Sequence, residues 1–200
     1  MNYREFNNIK IVNFPGVSMV GKDTLALAKI VGRVSGKKVM DVGTGTGFIA
    51  IYLASLGRSV EAIDISKVSV YAALENAKAN NIKITCYQSN LFENVRGKFD
   101  LIIFNPPIGT SSSTKTAILI EKVKSILPRS DLLAKISLIF LSNQRRNIIR
   151  RFLKESHHCL SKKGKIVMLV GHGEESLLEK HNFKIYKENE KKVAVVNRNF

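Results

Sequence analysis

Short apolar segments alternate with longer segments of helical spacing across the first half of the chain. The segments with a strand pattern lie at residues 37–43, 59–64, 84–89 and 99–105. The segments in which apolar residues recur at helical spacing lie at residues 22–34, 48–57 and 66–81. Asp23 or Thr24 is the predicted N-cap of the first helix. Because parallel strands need a crossover between them, usually a helix, this alternation predicts βαβ units and a parallel sheet.

The second half of the chain departs from this alternation. Helical patterns run to about Leu127, where Pro128 follows, and again from about Asp131 to Cys159. Strand patterns follow at 163–171, 183–188 and 192–198, with a helical pattern at 174–182 between the first two. We predict one α/β domain over residues 1–200, with a helical insertion at about 110–160. Its sheet has seven strands and is mostly parallel, the last strand is antiparallel, and helices cover both faces.

Composition narrows the class of protein. Hydrophobic residues make up 44% of the chain, enough for a sizeable core, and no apolar run is long enough to span a bilayer. The N-terminus lacks the apolar region of a signal peptide, and Cys86 and Cys159 lie far apart with no metal-type spacing. We therefore expect a cytoplasmic protein with no membrane association and no bound metal. The net charge of +16 favours a polyanionic neighbour such as RNA, although lysine-rich surfaces also serve solubility alone.

A glycine-rich turn follows the first strand of the alternating region. The stretch DVGTGTGF holds Asp41, Gly43, Gly45 and Gly47, so the chain can pass close to a ligand there. A dinucleotide fingerprint would need its third glycine at Phe48, and the acid at Asp41 would repel a pyrophosphate. The turn therefore disfavours a nicotinamide-dependent oxidoreductase and favours a ligand with a cationic group.

The strand at 99–105 ends on an amide and two prolines. Ligands of open α/β sheets bind at the carboxyl ends of strands, which places Asn105 beside the glycine turn. Pro106 and Pro107 lack N–H groups and have fixed φ, so they form a rigid turn whose carbonyls have few partners within the chain. The Asn105 oxygen and the Pro106 carbonyl are two acceptors suited to the two hydrogens of a planar NH2 group.

The motif D-x-G-x-G-x-G resembles the S-adenosylmethionine (SAM) turn of the class I, Rossmann-like methyltransferases. The resemblance implies a Rossmann-like sheet, SAM as cofactor, Asp41 at its amino-acid end, Asp64 on its ribose hydroxyls and Asn90 on its adenine amino group. Taken alone, Asp64 would rather be an acid before the helix that Ser66 opens, and Asn90 would equally suit a surface turn. The candidate cofactor-binding residues are Asp41, Gly43, Thr44, Gly45, Gly47, Asp64, Ile65, Asn90, Leu91 and Asn105.

Asn-Pro-Pro at the end of this strand resembles the amino-group methyltransferases. The whole stretch SNLFENVRGKFDLIIFNPPI is most similar to the HemK-type glutamine N5-methyltransferases, which modify the Gly-Gly-Gln loop of peptide release factors. The candidate catalytic residues are Asn105, Pro106, Pro107 and Ile108, where Ile108 replaces the usual aromatic residue. The resemblance also implies that a small activator subunit is possible. Before the SAM turn, Lys22 stands where these relatives usually have Glu, and Asp23 and Thr24 keep the pattern.

Other functions share these motifs. Small ribosomal RNA guanine methyltransferases have the same core, so an RNA base is the alternative acceptor, and a catalytically silent RNA-binding module is the second alternative. Arg146, Arg150 and Lys154 recur every four residues and predict a basic helix face. This face is either simply solvated or a surface that contacts phosphates. It would suit RNA and a release factor near ribosomal RNA alike.

Overall fold

The computed structural model describes residues 3–107, 131–171, 173–188 and 190–197, and over residues 131–141 it describes the backbone alone. The helices are α1 Lys22–Arg33, α2 Phe48–Ser55, α3 Lys67–Ala79 and α4 Asp131–Ser156, with a short 3-10 helix at Glu175–Leu178. The strands are β1 Tyr3–Phe6, β2 Ile9–Val12, β3 Lys38–Val42, β4 Ser59–Asp64, β5 Thr85–Gln88, β6 Phe99–Phe104, β7 Leu160–Val170, β8 Asn182–Glu188 and β9 Lys191–Asn197.

A seven-stranded sheet in the order β5-β4-β3-β6-β7-β9-β8 organises the fold. Strands β5, β4, β3, β6 and β7 pair in parallel, and β9 pairs antiparallel to both β7 and β8. The register sets Val42 at the end of β3 opposite Ile63 of β4 and Phe104 of β6. The predicted α/β fold, mostly parallel with an antiparallel last strand, is confirmed. The carboxyl ends of β3, β4 and β6 therefore meet at one edge.

Two apolar layers cover the two faces of this sheet. On one face, Leu27 of α1, Ile51 of α2 and Ala77 of α3 pack in a single cluster with the sheet. On the other face, Phe152 and Ile149 of α4 join a second cluster, where Phe152 stacks on Phe104 at a centroid distance of 4.4 Å. The central strands are buried on both sides, which explains why they carry unbroken apolar runs rather than alternating ones.

A β-hairpin formed by β1 and β2 precedes the sheet, and the sequence patterns did not predict it. One asparagine of α3 and the asparagine that caps its C-terminus hold the hairpin, because each offers its side-chain amide to the backbone of β2. Asn76 accepts from the Val12 N–H at 2.8 Å and donates to the Val12 carbonyl, and Asn80 does the same with Lys10. Asn76 is fully buried and also donates to the Thr46 carbonyl at 2.9 Å.

Several sequence predictions about local structure are corrected. The N-cap of α1 is Gly21, without a side-chain cap, and not Asp23 or Thr24. The helical pattern at 174–182 yields only the short 3-10 helix and the start of β8. The predicted helix that ends near Leu127 and the side chain of Ile108 lie outside the described residues. The single domain with its insertion stays a prediction.

No helix among the residues that the structure describes has the length and apolar character needed to cross a membrane.

Candidate active site

A cavity of about 620 Å³ opens where β3, β4 and β6 end. The predicted site residues that line it are Asp41, Gly43, Thr44, Gly45, Asp64, Ile65, Asn90, Leu91, Asn105, Pro106 and Pro107. Gly47, at the end of the glycine turn, does not line the cavity. The chain from Gly16 to Thr24, between the hairpin and α1, forms another wall. Three strand ends and this segment thus bring residues that are far apart in sequence to one place.

The glycine turn is held by the neighbouring strand. The N–H groups of Gly43 and Thr44 both donate to the Ile63 carbonyl of β4, at 2.8 and 3.0 Å. The Gly47 N–H closes the turn by donating to the Thr44 carbonyl at 2.9 Å. The backbone of the turn is therefore fixed relative to the end of β4.

Two glycines of this turn serve different purposes. Gly45 has a φ of +56°, and a Cβ there would meet no atom within 4 Å, so the turn faces open cavity at this point. Gly47 has a φ of +82°, and its Cβ would lie 2.8 Å from the Ala73 Cα of α3. Gly45 leaves room for a ligand, whereas Gly47 permits close packing of the turn against a helix.

Asp41 lies at the floor of the cavity and is 2% exposed. The Thr44 hydroxyl donates to its Oδ2 at 2.7 Å. Burial raises the pKa of Asp41 to about 7, and the nearby Asp64 carboxylate adds to the rise, while the Thr44 hydrogen bond opposes it. A cationic group placed against Asp41 would restore its ionised form, so the site suits an ammonium.

Asp64 ends β4 and is aimed by two backbone donors. The Gly45 N–H donates to Oδ2 at 3.0 Å, and the Ser66 N–H donates to Oδ1 at 2.9 Å. Each carboxylate oxygen keeps further lone pairs for a ligand. Ser66, and not Asp64, is the N-cap of α3, since the Ser66 hydroxyl accepts from the Ser69 N–H. Asp64 is thus also the acid before this helix that the sequence allowed, and its contact with the Ser66 N–H leaves it able to accept from a ligand.

Asn90 stands at the side of the same cavity. Its Nδ2 donates to the Glu93 carboxylate at 2.7 Å, which leaves the amide oxygen as the free polar atom for a ligand. Leu91 follows with a φ of +51° and is buried, while Ile65, which lines the same cavity, is 63% exposed. A cavity that offers an amide acceptor and apolar side chains can receive a flat ring that carries an amino group.

Asn105 is oriented by a residue that we had predicted as a helix cap. The amide Nδ2 donates to the Thr24 hydroxyl at 3.3 Å, across 81 positions of sequence. Among the described residues, no hydrogen bond engages the Asn105 oxygen, and both residues line the cavity. The sequence also showed Thr24 in the Asp-Thr pattern before the glycine turn, and that pattern is the signal that could have identified this role.

The carbonyls of Pro106 and Pro107 both have a partner within the chain, contrary to what we expected. Arg145 of α4 donates from Nη1 to the Pro106 oxygen at 2.7 Å and to the Pro107 oxygen at 3.2 Å. Its guanidinium also pairs with the Glu174 carboxylate, with Nε 2.7 Å from Oε1. A carbonyl oxygen has two lone pairs, so Pro106 keeps one for a ligand. No sequence signal pointed to Arg145 or Glu174.

The predicted basic face of α4 is present. Arg150 and Lys154 are exposed, and the apolar residues Ile149, Phe152 and Leu153 point into the core. Arg146 is half-buried because it donates to the Gly173 carbonyl at 2.9 Å. The free part of the face is thus smaller than the sequence spacing predicted.

Comparison with known proteins places the chain in a family. Residues 8–129 match the family model described as the methyltransferase small domain. The chain is 36% identical over 168 residues to a protein of Methanocaldococcus jannaschii with the provisional name of protein N5-glutamine methyltransferase, over 83% of this chain and 77% of that protein. It is 29% identical to the release factor glutamine methyltransferase of Lactococcus lactis subsp. lactis, over 86% of this chain and 62% of that protein.

A solved structure shares the fold. The T. thermophilus 16S rRNA N2 methyltransferase, in complex with AdoMet and guanosine, matches with a TM-score of 0.73 at 20% identity, over 99% of this chain and 50% of that one. At this identity the likeness concerns the fold alone. In this chain the strand ends of that fold form the cavity described above. The chain therefore belongs to the methyltransferase small domain family, and it is a Rossmann-like, SAM-dependent methyltransferase related to the glutamine N5-methyltransferases.

Proposed function

We propose that this protein transfers a methyl group from SAM to the side-chain amide nitrogen of a glutamine in a peptide release factor. The observation that carries the proposal is the amide of Asn105, a residue that lines the cavity: its nitrogen donates to Thr24, and its oxygen has no hydrogen-bond partner among the described residues. The two relatives named for glutamine methylation support the choice of acceptor.

The residues at the ends of β3 and β4 fit SAM. Asp41, buried with its pKa raised to about 7, would bind the ammonium of the amino-acid end. Asp64, aimed by two backbone donors, would accept from both ribose hydroxyls, and the Asn90 oxygen would accept from the adenine amino group. The open space before Gly45 leaves room for the backbone to approach the ligand. When bound, SAM supplies an electrophilic methyl on a sulfonium.

The turn at the end of β6 would hold the acceptor. An amide nitrogen is a weak nucleophile, because its lone pair is delocalised into the carbonyl. The Asn105 oxygen and the remaining lone pair of the Pro106 carbonyl would each accept one N–H of the target amide. Two acceptors on one NH2 group orient its nitrogen and stabilise the positive charge that develops as the N–C bond forms and the S–C bond breaks. The nitrogen then releases one proton to water.

The proposal is tested by methyl transfer from labelled SAM to a purified release factor. We expect label in the wild-type factor and none in a matched factor whose Gly-Gly-Gln glutamine is changed to asparagine. Asparagine keeps the amide but shortens the side chain, so it reports on position as well as on chemistry. Equal labelling of both factors would overturn the glutamine assignment. Transfer that appears only when cell extract is added would reveal the need for an activator subunit.

A base amine in RNA is the second candidate, favoured by the net charge of +16 and the exposed Arg150 and Lys154 on α4. The same planar NH2 chemistry would apply at the Asn105 turn. Labelling of total RNA alongside the release factor separates the two acceptors, because nuclease treatment releases one label and protease treatment the other. Tight SAM binding with label in neither fraction would support the silent RNA-binding module.

A further inference from the structure

We propose that Arg145 is a positioning residue that, together with Glu174, holds the Asn105–Pro107 turn in its reactive orientation. This inference rests on the proposed function, since it concerns the turn that would grip the methyl acceptor. Arg145 lies on α4 and Glu174 follows β7, so neither belongs to the strand that carries the turn.

The contacts of Arg145 reach the turn and an anchor at the same time. Its Nη1 donates to the Pro106 and Pro107 carbonyls at 2.7 and 3.2 Å. Its Nε and Nη2 donate to the two oxygens of Glu174 at 2.7 and 3.3 Å, which is a bidentate pair. The side chains of Arg145 and Glu174 are only 11% and 8% exposed. Solvent therefore screens this network little.

Glu174 in turn is fixed to the end of the neighbouring strand. The Gly171 N–H, just past the end of β7, donates to Glu174 Oε2 at 2.6 Å. A chain of hydrogen bonds thus runs from the end of β7 through the carboxylate and the guanidinium to the Pro106 and Pro107 carbonyls. The turn follows β6, and β7 is the parallel neighbour of β6. The end of β7 therefore anchors the turn at the end of the adjacent strand.

The chemistry of proline explains why the turn needs such a partner. Pro106 and Pro107 have no N–H groups, so their backbone can accept hydrogen bonds but cannot donate any. Donors must therefore come from elsewhere, and a guanidinium offers five in a rigid plane. Lysine has a single flexible ammonium, which serves poorly for two carbonyls and a carboxylate in fixed directions.

The pairing also controls charge beside the reacting groups. An unpaired guanidinium in this buried place would oppose the positive charge that forms on the acceptor nitrogen. The Glu174 carboxylate balances the charge of the Arg145 guanidinium, and the hydrogen bonds of Arg145 to the turn stay intact. We therefore expect Glu174→Gln to impair transfer as well, although every donor of Arg145 stays in place.

The test compares Arg145→Met, Arg145→Lys and Glu174→Gln with the wild type in methyl transfer to the release factor. The control is Arg151→Met. Arg151 lies on the same helix, does not line the cavity, and pairs with Glu155 at 3.1 Å. Because loss of one partner of a buried pair can prevent folding, Arg145→Met/Glu174→Met, which removes both charges, is made as well. SAM affinity is measured for every variant by calorimetry.

Arg145→Met should lower kcat roughly 10- to 100-fold while the Kd for SAM stays within about twofold, because the turn and not the donor site is displaced. Arg145→Lys should recover little of this loss, and Arg151→Met should behave as wild type. Full recovery by lysine, or parallel losses in kcat and SAM affinity, would overturn the positioning role. Unchanged kcat in the double variant would overturn it too.

A second measurement does not depend on the acceptor. The side-chain NH2 signal of Asn105, assigned by its loss in Asn105→Ser, is followed by heteronuclear NMR in the SAM-bound protein. We expect it to shift or broaden in Arg145→Met and to stay in place in Arg151→Met. An unmoved signal would overturn the inference. If the wild type labels no release factor, the proposed function fails, yet this spectrum still decides whether Arg145 positions the turn.

Discussion

The two sides of the cavity are built in different ways. On the side that we propose binds SAM, the donor side, the contacts that aim Asp41, Asp64 and Asn90 join residues 2 to 19 positions apart. On the side that we propose holds the methyl acceptor, the acceptor side, Asn105 bonds to Thr24 across 81 positions, and Arg145 reaches Pro106 across 39. The donor side is therefore a property of the three loops at the ends of β3, β4 and β5, whereas the acceptor side depends on elements from the whole chain.

This difference teaches where change is tolerated. A site made of short-range contacts forms whenever its loops fold, so its chemistry depends on few residues. A site held by distant elements can be adjusted from outside, through a helix or a loop that touches no ligand. The donor side should therefore control SAM affinity, and the acceptor side should control the rate of transfer.

The largest expected effect lies on the acceptor side. Asn105→Ala removes one of the two acceptors for the target NH2 group and should reduce kcat by roughly 10²- to 10³-fold. The Kd for SAM should hardly change, because Asn105 bonds to Thr24 and to neither carboxylate. Labelled-SAM assays and calorimetry check the two quantities. Equal losses in both would show that the two sides are not separable.

A pair of glycine variants tests the donor side without ligand. Gly47→Ala places a Cβ 2.8 Å from the Ala73 Cα at a φ of +82°, and should lower the free energy of unfolding by about 2–4 kcal/mol. Gly45→Ala meets no atom and should cost only about 1 kcal/mol of backbone strain. Denaturant midpoints check the order of the two. Similar losses would contradict the distinct purposes of these glycines.

Asp64→Ala gives the converse of the asparagine variant. It removes the carboxylate that would accept from the ribose hydroxyls and should weaken SAM binding by roughly 10- to 100-fold, the scale of hydrogen bonds to a charged group. At saturating SAM, kcat should stay close to that of the wild type. Calorimetry and saturation kinetics measure both. Unchanged SAM affinity would remove Asp64 from the donor site.

The smallest expected effect is the change of SAM affinity over one pH unit. Because burial raises the pKa of Asp41 from 3.8 to about 7, an ammonium ligand must displace a proton below that pH. SAM affinity should rise by at most about tenfold per pH unit up to about pH 7 and then level off. Asp41→Asn should flatten the profile. Calorimetry in buffers of different ionisation enthalpy would count the released proton.

The stability of the ligand-free protein should follow the opposite course. Between pH 3.8 and about pH 7, Asp41 keeps its proton in the folded protein but has lost it in the unfolded chain. The contribution of Asp41 to the free energy of unfolding is therefore greatest below about pH 4 and is lost as the pH rises through 7. The difference between the wild type and Asp41→Asn isolates this contribution from the other carboxylates.

The sequence grouped the residues at the strand ends for a physical reason. Strand ends in a parallel sheet must meet at one edge, so Asp41, Asp64 and Asn105 could be placed together once their strands were recognised. The glycines marked the turn because few other residues adopt positive φ. Rules of this kind depend on residues that are close in sequence, and they also gave the number of strands in the sheet and its mostly parallel pairing.

The supports of the acceptor side could not be predicted. Arg145 is one of four arginines between residues 145 and 151, and nothing in its neighbours tells it from Arg146 or Arg150, which meet other partners. Glu174 follows a strand end in a loop. Thr24 has the residue type of an N-cap, but the N-cap of α1 is Gly21. Such contacts depend on the packing of α1, α4 and β7 around β6, which periodicity does not encode.

The hairpin that Asn76 and Asn80 hold has a consequence for synthesis on the ribosome. Its partners lie 64 and 70 positions downstream, so the first dozen residues must wait until α3 has emerged before they can dock. A shortened chain that starts after Val12 would lose the Asn76 hydrogen bonds to β2 and would expose part of the apolar cluster to which Ile9 and Ile11 belong. We therefore expect proteins expressed without this hairpin, or with the hairpin covered, to be less soluble, even though no residue of the hairpin lines the cavity.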